Sequence, residues 1–275
     1  MRKSENISNL ELLAASQWGM FTTAQAKDLG VRRNQVARMA ESGRIEMMCY
    51  GVYRFTAGAE AEQSDLKAAW LSVFPEREAH RRLKERPFDA VIAGRTAACA
   101  LGAGDFLASP YTFLVACRKQ TSRSDIRFLA HSLDEGDVVF VDGVPVTSFE
   151  RTVFDLIRLA EDPDLVDGFM RDAALRAGHV FDRKRLSELL APLAERFGHK
   201  RGDGAAFADD LIARNVASVQ IAKAGDTIGK VLESISGNLG RGGLADYPGL
   251  EAALKGLSDA LAATGAKADL ARFGT

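Results

Sequence analysis

From Ser8 to Thr56 apolar positions recur at helical spacing three times and then begin to alternate. Leu10, Leu13, Ala14 and Trp18 predict a first helix that stops at Gly19. A second opens at Thr22 with Gln25 three residues on, the signature of a capping box, and ends at Gly30. The third runs from about Arg32 to Ser42 on a stripe of Val36, Met39 and Ala40, with Gly43 where a left-handed cap belongs. Arg44 to Cys49 and Val52 to Thr56 then alternate as two strands around Tyr50 and Gly51. Three helices and a hairpin predict a winged helix-turn-helix. Its offsets fit, with small Ala26 at the helix crossing, Gly30 in the turn, and Val31, Val36 and Met39 behind the second helix.

The next stretch, 59–204, mixes the two periods. Leu66 to Phe74 and Pro75 to Arg86 read as helices, Ala90 to Ala93 as a strand, and Thr96 to Leu101 as a small-residue helix. Tyr111 to Cys117, Ile126 to His131, Val138 to Val141 and Val144 to Thr147 are strand-like, with Asp142-Gly143 as a hairpin turn. Thr147 and Glu150 read as a capping box for a helix carrying Val153, Phe154, Ile157 and Ala160, and two more helices follow near Asp164 to Ala177 and Asp182 to Phe197. Beyond a linker at 198–204 the pattern is helical to about Ser236 and again from Pro248, with Leu250, Leu254, Leu257 and Leu261 in one stripe. That segment either dimerises the chain or covers the preceding domain. The expectation is therefore an α+β protein: a winged-helix DNA-binding domain at 1–58, a mixed α/β domain at 59–204 and a C-terminal helical segment at 205–275.

Counting 100° per residue turns Asn34, Arg38 and Glu41 outward on the third helix if Val36, Met39 and Ala40 face the core. Asn suits bidentate contact with adenine and Arg with guanine in the major groove. Arg32 and Arg33 lie in the first turn, where phosphates are met, Gln35 flanks the stripe, and Arg44, Tyr50 and Arg54 on the wing are further candidates for backbone or minor-groove contact. The same arginines are also compatible with a plain solvated face, since winged helices serve as protein-binding modules too.

Charge narrows the options. Lys and Arg total 36 against 37 Asp and Glu in 275 residues, so no bulk polycation is present and any nucleic-acid site is local. Residues 1–58 hold eight basic side chains (Arg2, Lys3, Lys27, Arg32, Arg33, Arg38, Arg44, Arg54) against five acidic ones (Glu5, Glu11, Asp28, Glu41, Glu46), an excess of three. A second basic run, Arg118, Lys119, Arg123 and Arg127, either meets an acidic partner or protects a sheet edge.

Enzymatic signatures are missing from the sequence. Cys49, Cys99 and Cys117 show no C-x-x-C spacing, and His80, His131, His179 and His199 never pair at i,i+3 or i,i+4, so neither a disulfide framework, a metal nor another cofactor is expected. The glycines from Gly237 to Gly243 follow no strand and lack a phosphate-loop lysine, and no G-x-S-x-G string occurs. The group Thr147, Ser148, Arg151, Thr152 and Asp155 reads as helix capping with an Arg151–Asp155 pair one turn apart. A winged helix delivering a nuclease is the alternative from another class, but an acidic cluster followed by E-x-K is not found. The N-terminus lacks the apolar stretch of a signal peptide and no apolar run spans a bilayer, which predicts a cytoplasmic protein.

Phe21-Thr22-Thr23-Ala24-Gln25-Ala26, Gly30-Val31, Arg32 to Arg38 and Gly51-Val52-Tyr53-Arg54 together resemble the N-terminal domain of AbiEi-family antitoxins. The later string Asp142 to Ser148, followed by Arg151-Thr152 and Asp155-Leu156, is similar to a second landmark of that family. The resemblance covers about the first 200 residues. It implies a winged-helix repressor joined to an antitoxin domain in a type IV toxin-antitoxin system, binding inverted repeats in its own promoter and opposing a nucleotidyltransferase-like toxin without a stable complex. It also implies a non-enzymatic protein. Tyr50 and Glu41 depart from the more basic face expected of the family.

Overall fold

The computed structural model describes residues 2–57, 63–130 and 132–217. The described residues form an α+β fold in two compact units, one within 1–102 and 106–159, the other within 103–105 and 160–217. The division falls after Leu159, whereas the sequence pattern places its boundaries at 58 and 204.

The first unit opens with α1 (Arg2–Ala15), β1 (Met20–Thr22), α2 (Thr23–Asp28), α3 (Arg33–Glu41), β2 (Ile45–Cys49) and β3 (Val52–Phe55). The strands form an antiparallel sheet in the order β1-β3-β2, so a short third strand joins the expected hairpin. Thr22 caps α2 as the spacing predicts: its hydroxyl accepts from Gln25 N at 3.1 Å while Gln25 Oε1 accepts from Thr22 N at 2.9 Å. Gly30 turns the chain at φ +76°, where a side chain would be strained, and lets α3 start against α2. Leu10, Phe21, Ala26, Val31, Val36, Met39 and Ile45 close the core of this region.

The rest of the unit is a five-stranded sheet with helices. After α4 (Ser64–Val73) and α5 (Ala79–Lys84) come β4 (Ala90–Ile92), α6 (Gly94–Ala100), β5 (Tyr111–Val115), β6 (Ile126–Ala130), β7 (Val138–Val141), β8 (Val144–Thr147) and α7 (Phe149–Arg158). The charged helix expected from Pro75 to Arg86 is thus only the short α5, because residues 75–78 form a turn. Strand order is β6-β5-β4-β8-β7, with β5-β6 and β4-β8 parallel and the other pairs antiparallel. The β7-β8 hairpin turns at Asp142 and Gly143, whose φ of 49° and 85° belong to the primed turn that matches strand twist.

Ala90, Ile92, Phe113, Val115, Val144 and Val146 point into one large core, built around Trp70 and Leu71. Met20 and Val52 of the winged helix belong to that same core. Trp18 meets Trp70 edge-on at 6.1 Å, and the Thr22 hydroxyl donates to the Pro75 carbonyl. Two buried glutamines complete the join. Gln17 Nε2 donates to Gln25 Oε1 at 2.7 Å, Gln17 Oε1 accepts from Ala79 N at 3.2 Å, and Gln25 Nε2 donates to Arg77 O at 3.1 Å. Each amide has partners at both ends, so burial costs little, and the winged helix is fastened to the sheet rather than hung from it.

The second unit contains α8 (Pro163–Leu175), α9 (Arg183–Leu190), a 3₁₀ segment (Ala191–Phe197), α10 (Gly204–Ile212) and a π-helical turn (Ala213–Ala217). The helix expected over 182–197 therefore tightens midway, where Pro192 enters the first turn of the 3₁₀ segment. Gly204 opens α10 against α9 so closely that a Cβ there would sit 2.0 Å from Ser187 O. The expected terminal helices beyond Ala217 lie outside the described residues.

Candidate nucleic-acid interface

Helix α3 presents its faces as the 100° count predicts. Val36 and Met39 are buried, Ala40 is half-buried, and Asn34, Ala37, Arg38 and Glu41 are exposed. Arg32 and Arg33 are exposed at the helix start. Gln35 is half-buried and its Oε1 accepts from Arg32 N at 2.9 Å, so this side chain holds the helix terminus. Exposed Ala37 leaves room on the helix surface between Asn34 and Arg38.

The basic residues separate into two groups. Among the described residues, no ion pair engages Lys27, Arg32, Arg33 or Arg38. Arg44 binds Glu11 at 2.5 Å, and Arg54 binds Glu46 at 2.5 Å and reaches Ser64 at 3.4 Å, with only 12% of its side chain exposed. The two wing arginines are therefore held by carboxylates of their own chain, apart from the α3 group. The same pairing neutralises Glu11 and Glu46. Glu41 stays exposed at the end of α3.

Helices α2 and α3 and the β2-β3 hairpin enclose an open groove of about 860 Å³. Lys27, Arg32 and Arg33 line one bank, Met47, Tyr50 and Tyr53 the other. Lys27 and Met47 were not among the expected contact residues. Lys27 sits in the last turn of α2, and only the folded groove brings it beside Arg32 and Arg33. The second basic run is less available: Arg123 is bound to Asp125 at 2.5 Å and to Ser72 at 2.9 Å, and Lys119 lies 4.1 Å from the centre of the Phe74 ring.

The polar group on α7 is sealed from solvent. Here Ser148, not Thr147, is the N-cap, its hydroxyl accepting from Arg151 N at 3.2 Å. Thr147 ends β8, so its hydroxyl turns to Thr152 at 2.8 Å instead. The Arg151–Asp155 pair forms at 3.2 Å, and Arg151 also reaches Asp137 at 3.3 Å and Ser132 O at 3.0 Å. Among the described residues, Arg151 Nη2 and Asp155 Oδ2 have no hydrogen-bond partner. Burial pushes the Asp155 carboxyl up to about 6, against the opposing pull of Arg151. With Asp137, Arg151 and Asp155 all almost fully buried, this cluster pins the β6-β7 connection to α7 and offers no surface to a substrate.

The cysteines are free thiols, with Cys117 exposed and Cys49 and Cys99 half-buried. Among the described residues no cluster of three or more His, Cys, Asp or Glu side chains is arranged to hold a metal ion, and no helix is long and apolar enough to cross a membrane.

A winged helix-turn-helix with uncompensated cations along its second helix is the architecture of a DNA-binding transcriptional regulator. Residues 9–56, from α1 to just past β3, match the family described as transcriptional regulator, AbiEi antitoxin. No curated protein matches the chain.

Proposed function

We propose that this protein is a sequence-specific DNA-binding antitoxin of type IV that represses its own toxin-antitoxin operon in the cytoplasm and counteracts a nucleotidyltransferase-like toxin without a stable complex. It works as a binding protein, with no reaction or cofactor of its own. The observation that carries this reading is the exposed, unpaired face of α3 on an AbiEi-type winged helix. Asn34 and Arg38 read base edges in the major groove, Arg32 and Arg33 hold phosphates, and Gln35 fixes the helix start between them. Arg44 and Arg54 contribute less than free cations would, because each carries a carboxylate into the interface. Two such heads on inverted repeats would give the operator its symmetry.

The test is a reporter driven by the DNA immediately upstream of the gene, assayed beside growth rescue of cells expressing the adjacent nucleotidyltransferase-like protein. The expected result is repression by the wild-type chain, relief by Arg38→Ala, and rescue by both. Absence of repression contradicts the regulator role. Absence of rescue contradicts the antitoxin role.

A further inference from the structure

The five-stranded sheet has two edges, β6 and β7, and they are built differently. β6 carries the exposed Arg127, a charge of the kind that keeps other strands from pairing. β7 is Val138-Val139-Phe140-Val141, without a charge, a proline or a bulge. Its backbone faces outward at alternate residues. Asp137 O accepts from Ser148 N at 2.7 Å, so Asp137, Val139 and Val141 turn their amides to β8, and Val138 and Phe140 turn theirs away from it. Pro145, opposite Phe140, has no N–H to offer and fits that phase. Among the described residues no other strand pairs with β7. Side chains add a seat beside this edge. Val138 lines a groove of about 450 Å³ with Phe88, Val91, Leu114 and Leu133. Phe140, 51% exposed, stands edge-on to Phe88 at 5.7 Å. Arg86, the cation of the groove, lies over the Phe88 ring at 3.7 Å and donates to the Leu83 and Glu85 carbonyls. Carboxylates flank the edge: exposed Asp134 and Glu135 precede β7 and exposed Asp142 follows it. Among the described residues Glu135 and Asp142 make no ion pair.

From these observations we infer that β7 accepts an extended segment of a partner protein as an added strand. Apolar side chains of the segment rest on Phe140 and in the groove, and Lys or Arg at its ends face Glu135 and Asp142. Strand addition satisfies the outward Val138 and Phe140 amides, while the groove and the flanking charge select among segments. Charge complementarity decides the occupant. A second copy of β7 would bring its own acidic flanks to an acidic rim, and a nucleic acid is repelled there. The inference is independent of the DNA-binding reading above.

The full chain is titrated with three dye-labelled synthetic peptides: an alternating Val-Thr segment with two Lys at each end, the same segment with Glu in place of Lys, and the Lys-ended segment N-methylated along one edge. The Lys-ended peptide should bind about tenfold more tightly than the Glu-ended one. The N-methylated peptide should not bind, because it cannot complete the ladder. Hydrogen exchange should find the Phe140 amide open in the free chain and protected in the complex. Phe140→Lys should abolish binding. Glu135→Gln combined with Asp142→Asn should weaken binding of the Lys-ended peptide about fivefold and remove most of its advantage. Asn suits the φ of 49° at position 142, so the turn is kept, and all three side chains are exposed, so thermal melting should match the wild type. No binding of the Lys-ended peptide, equal binding of the Glu-ended one, or a Phe140 amide that stays open in the complex would overturn the inference. Protection of Phe140 in the free chain that grows with protein concentration would overturn it in favour of a second copy.

Discussion

Arginines on two helices of the first unit answer to opposite conditions. On α3, Arg33 and Arg38 stand in water with no ion pair among the described residues, while on α7 Arg151 is buried and shared between Asp137 and Asp155. An exposed guanidinium keeps its hydration and adds little to stability, so its place on a surface is open to selection by a ligand. A buried one is bound to its partners, because removing it strands charge in a poorly polarisable interior. The residue type is the same and the surroundings decide the role. The winged helix carries the proposed interface, and Gln17 and Gln25 fasten it to the turn after α4 and the start of α5.

The contrast makes a graded set of predictions. Arg151→Ala should cost about 3–5 kcal/mol of stability, since Asp137 and Asp155 lose their shared counter-charge, and urea unfolding measures it. A loss below 1 kcal/mol would mean the cluster relaxes toward water. Next comes Asp155. Its folded pKa of about 6 lies above the ordinary 3.8, so the folded state binds the proton more tightly. Stability from this group is present at low pH and is lost as pH rises from about 4 to about 6, on the order of 3 kcal/mol in all. Asp155→Asn should remove that fall from the unfolding-versus-pH curve, and an unchanged curve would place the carboxyl in a better solvated site. Arg44→Ala should do least. Its pair with Glu11 is half-exposed, so both stability and DNA affinity should change by less than about 1 kcal/mol.

Much of the winged helix is legible in sequence because its signals are local. The Thr22–Gln25 cap, the glycine after α2 and the 3.6-residue stripe on α3 involve neighbours within one or two turns. What escaped the pattern depends on distant partners. Strand β1 spans only three residues, too few for alternation to show, and it exists because Phe21 pairs with Tyr53. The N-cap of α7 shifts from Thr147 to Ser148 because β8 claims Thr147. The outward stripe of Asn34 and Arg38 followed from helix geometry alone. The pairing of Arg44 with Glu11 across 33 residues, and the meeting of Lys27 with the hairpin bank, are tertiary facts with no local trace.

If the exposed face of α3 reads DNA sequence, Arg38 is the side chain whose loss should show it. Binding of the wild-type and Arg38→Ala chains to native upstream DNA and to scrambled DNA should be compared at two salt concentrations. The wild type should prefer the native sequence, and Arg38→Ala should lose about 1–3 kcal/mol on that DNA with a much smaller loss on the scrambled duplex. Equal losses on both duplexes would make Arg38 a phosphate contact. No wild-type preference between them would contradict sequence reading by α3.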